Sequence, residues 1–437
     1  MDIGLISLII FGSLILFLGI GVPVGFTMGG ISLILGFIFW DGLPSIDGFV
    51  LGSFSEFTKS TLTALPLYIF MAAILMYSDL ADDMYECIYR WFGGLRGGLA
   101  AGTVIISSIF AAMVGISSVA TATLGLIARP SMLKRGYDDK LTIGVIMAGG
   151  TLGLLIPPSI VAIVYASESG ESTGALFMAG VVPGILAAIL FIIYALVLCF
   201  IKPEMGPAIS SDQRFTFKEK LISLKSIALP MLVIIVVLGS IYFGITTPTE
   251  AGAVGVVGAL VAAAAKRKLT FSNIKNMFLM STKLFSLVFW IVIGAVAYAR
   301  IVSVTGIGQS IANYITGVDI NRWLILLIIM AVFLALGMVM DTIAVLLITA
   351  PLILPLLTSL EFDLVWFGIL FTIAVCIGGL SPPFGMSIFI MKGVAPDISL
   401  QKIYSAVWPF IFLFLLCIAL VMIFPELALW LPNYMNG

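Results

Sequence analysis

The chain has 437 residues, 61% of them hydrophobic and 10% charged, with a formal net charge of −1. Long apolar runs with so few charges exclude a string of soluble domains and describe an all-α polytopic membrane protein embedded in a lipid bilayer. A charge near zero says nothing about nucleic acid, but no basic tail exists that could bind it, so no nucleic-acid partner is expected. The absence of histidine removes imidazole ligation of haem or zinc and histidine general-base chemistry.

Hydropathy places about ten spans, near 4–20, 24–40, 64–79, 139–165, 175–201, 227–244, 248–265, 284–305, 363–391 and 405–430. The first has neither a basic leader nor a small-residue cleavage pattern and reads as a retained span. Segments Phe49–Ala64, Ala81–Gly93 and Gly306–Val318 mix polar and apolar residues beside spans. In the second of these, Tyr85, Tyr89, Trp91 and Phe92 beside Asp82, Asp83 and Glu86 suggest an interfacial helix, with a solvated loop as the alternative.

Two apolar stretches, 98–135 and 323–360, are long enough to cross a bilayer nearly twice and read as re-entrant helical hairpins. Asp341 is the only charged residue between Trp323 and Leu360, with Gly337 before it and Pro351 and Pro355 after. A carboxylate inside hydrocarbon is costly and marks a functional position by default. The alternative is a proline-kinked span with a buried, protonated aspartate. The cysteines Cys87, Cys199, Cys376 and Cys417 are far apart and read as apolar packing residues.

Lysine and arginine set the orientation. Lys202, Arg214, Lys218, Lys220 and Lys225 crowd the 202–225 loop, and Lys266, Arg267, Lys268, Lys275 and Lys283 the 266–283 loop. Arg90, Arg96, Arg129, Lys134, Arg135 and Lys140 flank the first hairpin, and all of these read as cytoplasmic. Glu168-Ser169-Gly170-Glu171 lacks a cation and fits the outside. Threading the spans through these anchors puts both termini outside, the 98–135 hairpin entering from the cytoplasm and the 323–360 hairpin from the opposite face.

A shift of 225 residues superposes Pro23 on Pro248, Pro130 on Pro355, Pro157-Pro158 on Pro382-Pro383, Gly153 on Gly378 and Asp138 on Asp363. Residues 1–201 and 226–437 therefore read as an inverted-topology repeat joined by a cytoplasmic linker, 202–225. Secondary transporters are built this way, with the site near the midplane between the halves.

Four non-helical points face one another in this arrangement: the tips Gly115–Thr121 and Met338–Ala344, and the breaks Gly153–Ser159 and Gly378–Pro383. A double proline in mid-span frees carbonyls, which membrane depth tolerates only beside protein or a water-lined cavity. Such carbonyls with hydroxyls and a carboxylate suit Na⁺. The expected cation ligands are Gly115, Ser117, Ser118, Gly153 and Pro157 in a neutral site, and Met338, Asp341, Thr342, Gly378 and Ser381 in a charged one. Helix N-termini after the tips and breaks would offer amides to an anionic substrate, through Ser118, Thr121, Ser159, Thr342 and Pro383. For the hydroxyls the alternative is hydrogen bonding to their own helices, and for the Gly and Pro sets mere kinking. Thr247-Pro248-Thr249-Glu250 reads as a capped helix start, and Arg300 as a cation reaching for the interface.

Ala64-Leu65-Pro66-Leu67, Ser117–Thr121, Gly153–Ser159, Thr247–Ala251, and Met340–Ala344 with Ser381-Pro382-Pro383 together resemble the large membrane (M) subunit of the tripartite ATP-independent periplasmic (TRAP) transporters. The likeness runs through nearly the whole chain in order, departing at Ser381, where the family often has threonine. It implies an elevator-type transporter in a bacterial inner membrane, both termini periplasmic. It also implies Na⁺-coupled import of an organic acid such as sialic acid or a C4-dicarboxylate. The implied partners are a soluble periplasmic substrate-binding protein and a separate small four-helix (Q) membrane subunit. A stand-alone Na⁺- or H⁺-coupled anion transporter of the same superfamily is the competing reading, distinguished by independence from a binding protein. A channel would show no coupling, and an intramembrane enzyme would need a nucleophile–base pair that Ser117 or Ser118 with Asp341 does not make.

Overall fold

The computed structural model describes residues 3–39, 42–78, 80–208, 215–318 and 320–436, which are helical with no strand among them. Arg214 of the expected basic linker lies outside the described residues. The first half runs α1 (Ile3–Gly19), α2 (Val24–Phe39), α3 (Leu43–Phe57), α4 (Ser60–Met76), α5 (Leu80–Phe92), α6 (Gly98–Val114), α7 (Ser117–Lys134), α8 (Asp139–Thr151), α9 (Ile160–Ser169) and α10 (Thr173–Ile201). The second runs α11 (Phe217–Tyr242), α12 (Pro248–Ala265), α13 (Phe271–Thr305), α14 (Ile307–Gly317), α15 (Arg322–Val339), α16 (Thr342–Ser359), α17 (Leu364–Leu380), α18 (Met386–Val394), α19 (Leu400–Ile423) and α20 (Glu426–Asn436).

Local chemistry explains most of these boundaries. Asp138 and Asp363 start α8 and α17 by accepting from the amides of Leu141 and Trp366 at 2.9 and 2.8 Å. Thr247 and Glu250 form a reciprocal capping box with Pro248 in the first turn of α12, the start expected there. The segment expected to be interfacial is helical, and α5 buries Met84, Tyr85, Cys87 and Ile88 on one stripe while exposing Glu86. Arg300 donates to the Gly48 carbonyl at 2.8 Å and so ties α13 to α3.

Two expected spans and one mixed segment take a more definite form in the structure. The 284–305 span begins at Phe271, because Thr270 caps it and no Pro or Gly interrupts the next two turns, so Lys275 and Lys283 ride on the helix. The 405–430 span is two helices, since Pro425 lacks an amide hydrogen and disfavours helix at Phe424. The mixed segment 49–64 is helix on both sides of a 60° bend at Thr58-Lys59.

A shift of 225 residues carries the ends of α6, α7 and α9 onto those of α15, α16 and α18 to within one residue. Thr151 and Cys376, equivalent under that shift, touch each other: the Cys376 thiol donates to the Thr151 carbonyl at 3.4 Å. Side-chain contacts show how the halves are oriented. Near the open end of the α6–α7 hairpin, Arg129 pairs with Asp139 at the start of α8 and with Asp397 after α18. At the open end of the α15–α16 hairpin, Tyr165 near the end of α9 donates to the Leu364 carbonyl at 2.7 Å. The α8–α9 pair thus runs from the mouth of the first hairpin to that of the second, and α17–α18 runs back. The two hairpins therefore open toward opposite ends of the α8–α9 pair, the antiparallel relation of an inverted repeat.

Candidate functional site

Each hairpin reverses over two residues. α6 ends on Gly115 at φ +66°, a left-handed position that suits glycine, and Ile116 is extended before α7 begins. Met340 and Asp341 turn the second hairpin in extended conformations, and α16 begins at Thr342. The breaks are longer, 152–159 and 381–385, and α9 and α18 restart at Ile160 and Met386 after the double-proline segments.

All four restarted helices point their N-termini into one cavity of about 600 Å³. It is lined by Ser117 and Ser118 of α7, Ile160 and Val161 of α9, Thr342, Ile343 and Ala344 of α16, and Met386 and Ser387 of α18. The first amides of a helix have no acceptor within it, and the helix dipole adds partial positive charge there. The hydroxyls of Ser117, Ser118, Thr342 and Ser387 have no hydrogen-bond partner among the described residues. At the tips, the C-terminal carbonyls of α6 and α15 are left over in the same way.

Asp341 is the one charged side chain lining the cavity among the described residues. Its Oδ1 accepts from the Ile343 amide at 3.0 Å, so it caps α16. The carboxylate is open to the cavity although protein atoms crowd around it.

Of the residues expected from sequence, Gly115, Ser117, Ser118, Asp341 and Thr342 meet in this lining. The others stand behind it. A Cβ on Gly153 would lie 2.3 Å from the Ala111 carbonyl group, and one on Gly378 would lie 2.7 Å from Gly337, so both glycines let a broken span press against a hairpin arm. The Ser159 hydroxyl donates to Leu154 O at 2.6 Å and caps α9 at Ala162 N; that of Ser381 donates to Ile377 O at 2.7 Å. Both are engaged in their own segments, the alternative raised for the hydroxyls. Thr121 is buried one turn inside α7, where its Oγ1 faces Gly150. Pro157 is buried in the first break, and Pro383 is exposed and accepts from the Tyr404 hydroxyl at 3.2 Å. Met338 is half-buried within α15, and Met340 takes the lining position.

Sequence reasoning missed one side of the wall. Pro23 with Val24, Gly25 and Phe26 at the start of α2, and Leu284, Leu287, Val288, Trp290 and Ile291 of α13, close one side with apolar surface, Phe26 resting on Trp290 at 4.9 Å between ring centroids. These two helices approach closely, since a Cβ on Gly294 would lie 2.4 Å from the Gly25 carbonyl oxygen. Nothing in their sequence separates them from lipid-facing helices. Ser387 was also missed, although its place just after the second break carried the same signal as Ser117 and Ser118 after the first tip.

Comparison with known proteins bears on this geometry. The family described as "Tripartite ATP-independent periplasmic transporter, DctM component" matches residues 11–427. A C4-dicarboxylate TRAP transporter large permease protein, DctM of Pseudomonas aeruginosa, is 32% identical over 90% of this chain and 91% of its own. The ectoine TRAP transporter large permease protein TeaC of Halomonas elongata is 29% identical over 95% of this chain and 96% of its own. Among solved structures, the YdaH transporter of Alcanivorax borkumensis superposes with a TM-score of 0.64 over 97% of this chain and 98% of that one, at 12% identity, which shows a common fold.

Proposed function

Because the chain belongs to the DctM component of the tripartite ATP-independent periplasmic transporter family, we propose that it imports an organic acid across a bacterial inner membrane, driven by Na⁺ and supplied by a periplasmic binding protein. A separate small four-helix membrane subunit completes the system. The basic loops face the cytoplasm and both termini the periplasm, so 1–201 and 226–437 insert in opposite senses around the 202–225 linker, the α6–α7 hairpin from the cytoplasmic side. The carrying observation is the convergence of four helix N-termini on one cavity, a ready-made receptor for an anion.

The donor set at the second tip suits Na⁺ as co-transported cargo. Asp341, the Thr342 hydroxyl and the leftover carbonyls of α15 are all hard oxygens, the donors Na⁺ prefers. A bound cation there would offset the aspartate's charge and let an anion enter beside it. The apolar face of α2 and α13 gives the cavity no polar anchor, so the body made of hairpins and broken helices carries the cargo past it, an elevator-like movement.

Uptake of labelled organic acids into proteoliposomes tests the reading, with the chain and its small subunit reconstituted and with binding protein and an inward Na⁺ gradient added or withheld. Uptake only with both additions is expected. Uptake without binding protein would instead identify a stand-alone acid transporter, and equilibration without coupling a channel.

A further inference from the structure

The four helix starts around the cavity are not alike. Asp341 caps α16 and Ser159 caps α9, each with its own side chain. Ile116 and Gly385, which precede α7 and α18, supply no side-chain cap. Under the repeat Ile116 is the counterpart of Asp341, so an isoleucine stands at one tip where a carboxylate stands at the other.

The uncapped ends are neighbours. α7 and α18 pack together, a Cβ on Gly125 meeting Val394 and Met391 at 3.1 and 3.6 Å. Arg129 of α7 holds Asp397, just past α18, at 2.7 Å, so the two helices run in the same direction with both N-termini at the cavity. Ser387, in the first turn of α18, is 3% exposed, lines the cavity and has no hydrogen-bond partner among the described residues. The Ser117 and Ser118 hydroxyls face the same space, likewise unpartnered. The capped pair, α9 and α16, also packs together.

Resting on the proposed import of an organic acid, we infer that the cavity takes a cargo with a single acidic group. That group docks on the α7 and α18 N-termini among Ser117, Ser118 and Ser387, in the position Asp341 fills for α16. At the other pair of ends the protein already supplies a carboxylate and a capping hydroxyl, and no cationic side chain lines the cavity among the described residues to hold a second acid. The rest of the cargo faces Phe26, Leu287 and Trp290 and is uncharged and partly apolar.

Calorimetric titration of the full chain in lipid nanodiscs with sodium chloride tests this, using succinate, its half-amide succinamate and the uncharged succinamide. Succinamate is expected to bind more tightly than succinate, whose second carboxylate would be left unpaired beside an apolar wall, and succinamide not at all. Ile116→Asp, which gives α7 the cap that α16 has, should weaken succinamate at least tenfold, and Ser387→Ala several-fold with the fold intact by thermal unfolding. Succinate binding more than tenfold tighter than succinamate would overturn the single-acid reading while leaving acid import standing. Undiminished binding in both variants would overturn the location alone. Binding of succinamide as tight as succinate, or of none of the three at millimolar concentration, would remove the acid-import reading and this inference with it.

Discussion

Aspartate and asparagine cap a helix about equally well, because both present an oxygen to the second or third amide. Asp341→Asn therefore keeps the 3.0 Å bond from the Ile343 amide and changes stability by less than about 1 kcal/mol, while removing the only charge in the cavity lining among the described residues. If this carboxylate binds the coupling ion, the variant unfolds at the wild-type temperature yet shows no Na⁺-dependent uptake. Wild-type Na⁺ dependence in the variant would exclude Asp341 as a ligand. At this scale the sequence was partly legible. An acid alone in a long apolar run has few structural explanations, so Asp341 stood out. Ser159 and Ser381 looked equivalent to Ser117 and Ser118 on paper, and only their bonds to Leu154 and Ile377 show that they serve their own segments.

Adjacent glycines at the second break make a test at the scale of elements. A Cβ on Gly378 would meet Gly337 and the Leu334 carbonyl at 2.7–2.8 Å, all of it backbone that cannot swing aside, whereas a Cβ on Gly379 meets nothing within 4 Å. Gly378→Ala should thus cost about 1–3 kcal/mol by forcing α15 away from α17. Gly379→Ala, at the end of the same helix, should be neutral or stabilising by up to about 1 kcal/mol. Thermal unfolding of the two variants compares them directly, and equal effects would contradict the close approach. The hairpins and broken helices were readable because Gly, Pro and Asp act on their own neighbourhood: Gly115 turns a chain, Pro425 stops a helix, Asp138 starts one. The wall formed by α2 and α13 was not readable, because an apolar side chain such as Leu287 or Trp290 looks the same facing lipid, another helix or a cavity, and tertiary packing alone decides which.

Across the whole molecule, the cluster of Arg129, Asp139, Asp397 and Lys402 fastens the mouth of the first hairpin to the second repeat. Arg129 and Asp139 keep only 13% and 15% of their side-chain surface, so removing one partner leaves charge poorly solvated. Arg129→Ala is expected to destabilise the protein by about 3 kcal/mol. Asp139 then keeps Lys402 as its ion-pair partner at 2.9 Å but has lost its two bonds from Arg129, so adding Asp139→Ala should recover part of that loss by removing an under-compensated carboxylate. A double variant less stable than Arg129→Ala alone would show that the cluster contributes by packing and not by charge.

The contact between Thr151 and Cys376 has a historical consequence. Equivalent positions of two like halves meet only on the axis relating them, which is where a homodimer of half-length chains would bring a residue against its own copy. Such an ancestor, obeying its symmetry, would carry the same residue at both hairpin tips: two acids or two isoleucines. Only after duplication and fusion into one polypeptide could Asp341 and Ile116 diverge. On this view, joining two genes was what allowed one pocket to carry an acid at one tip and an isoleucine at the other.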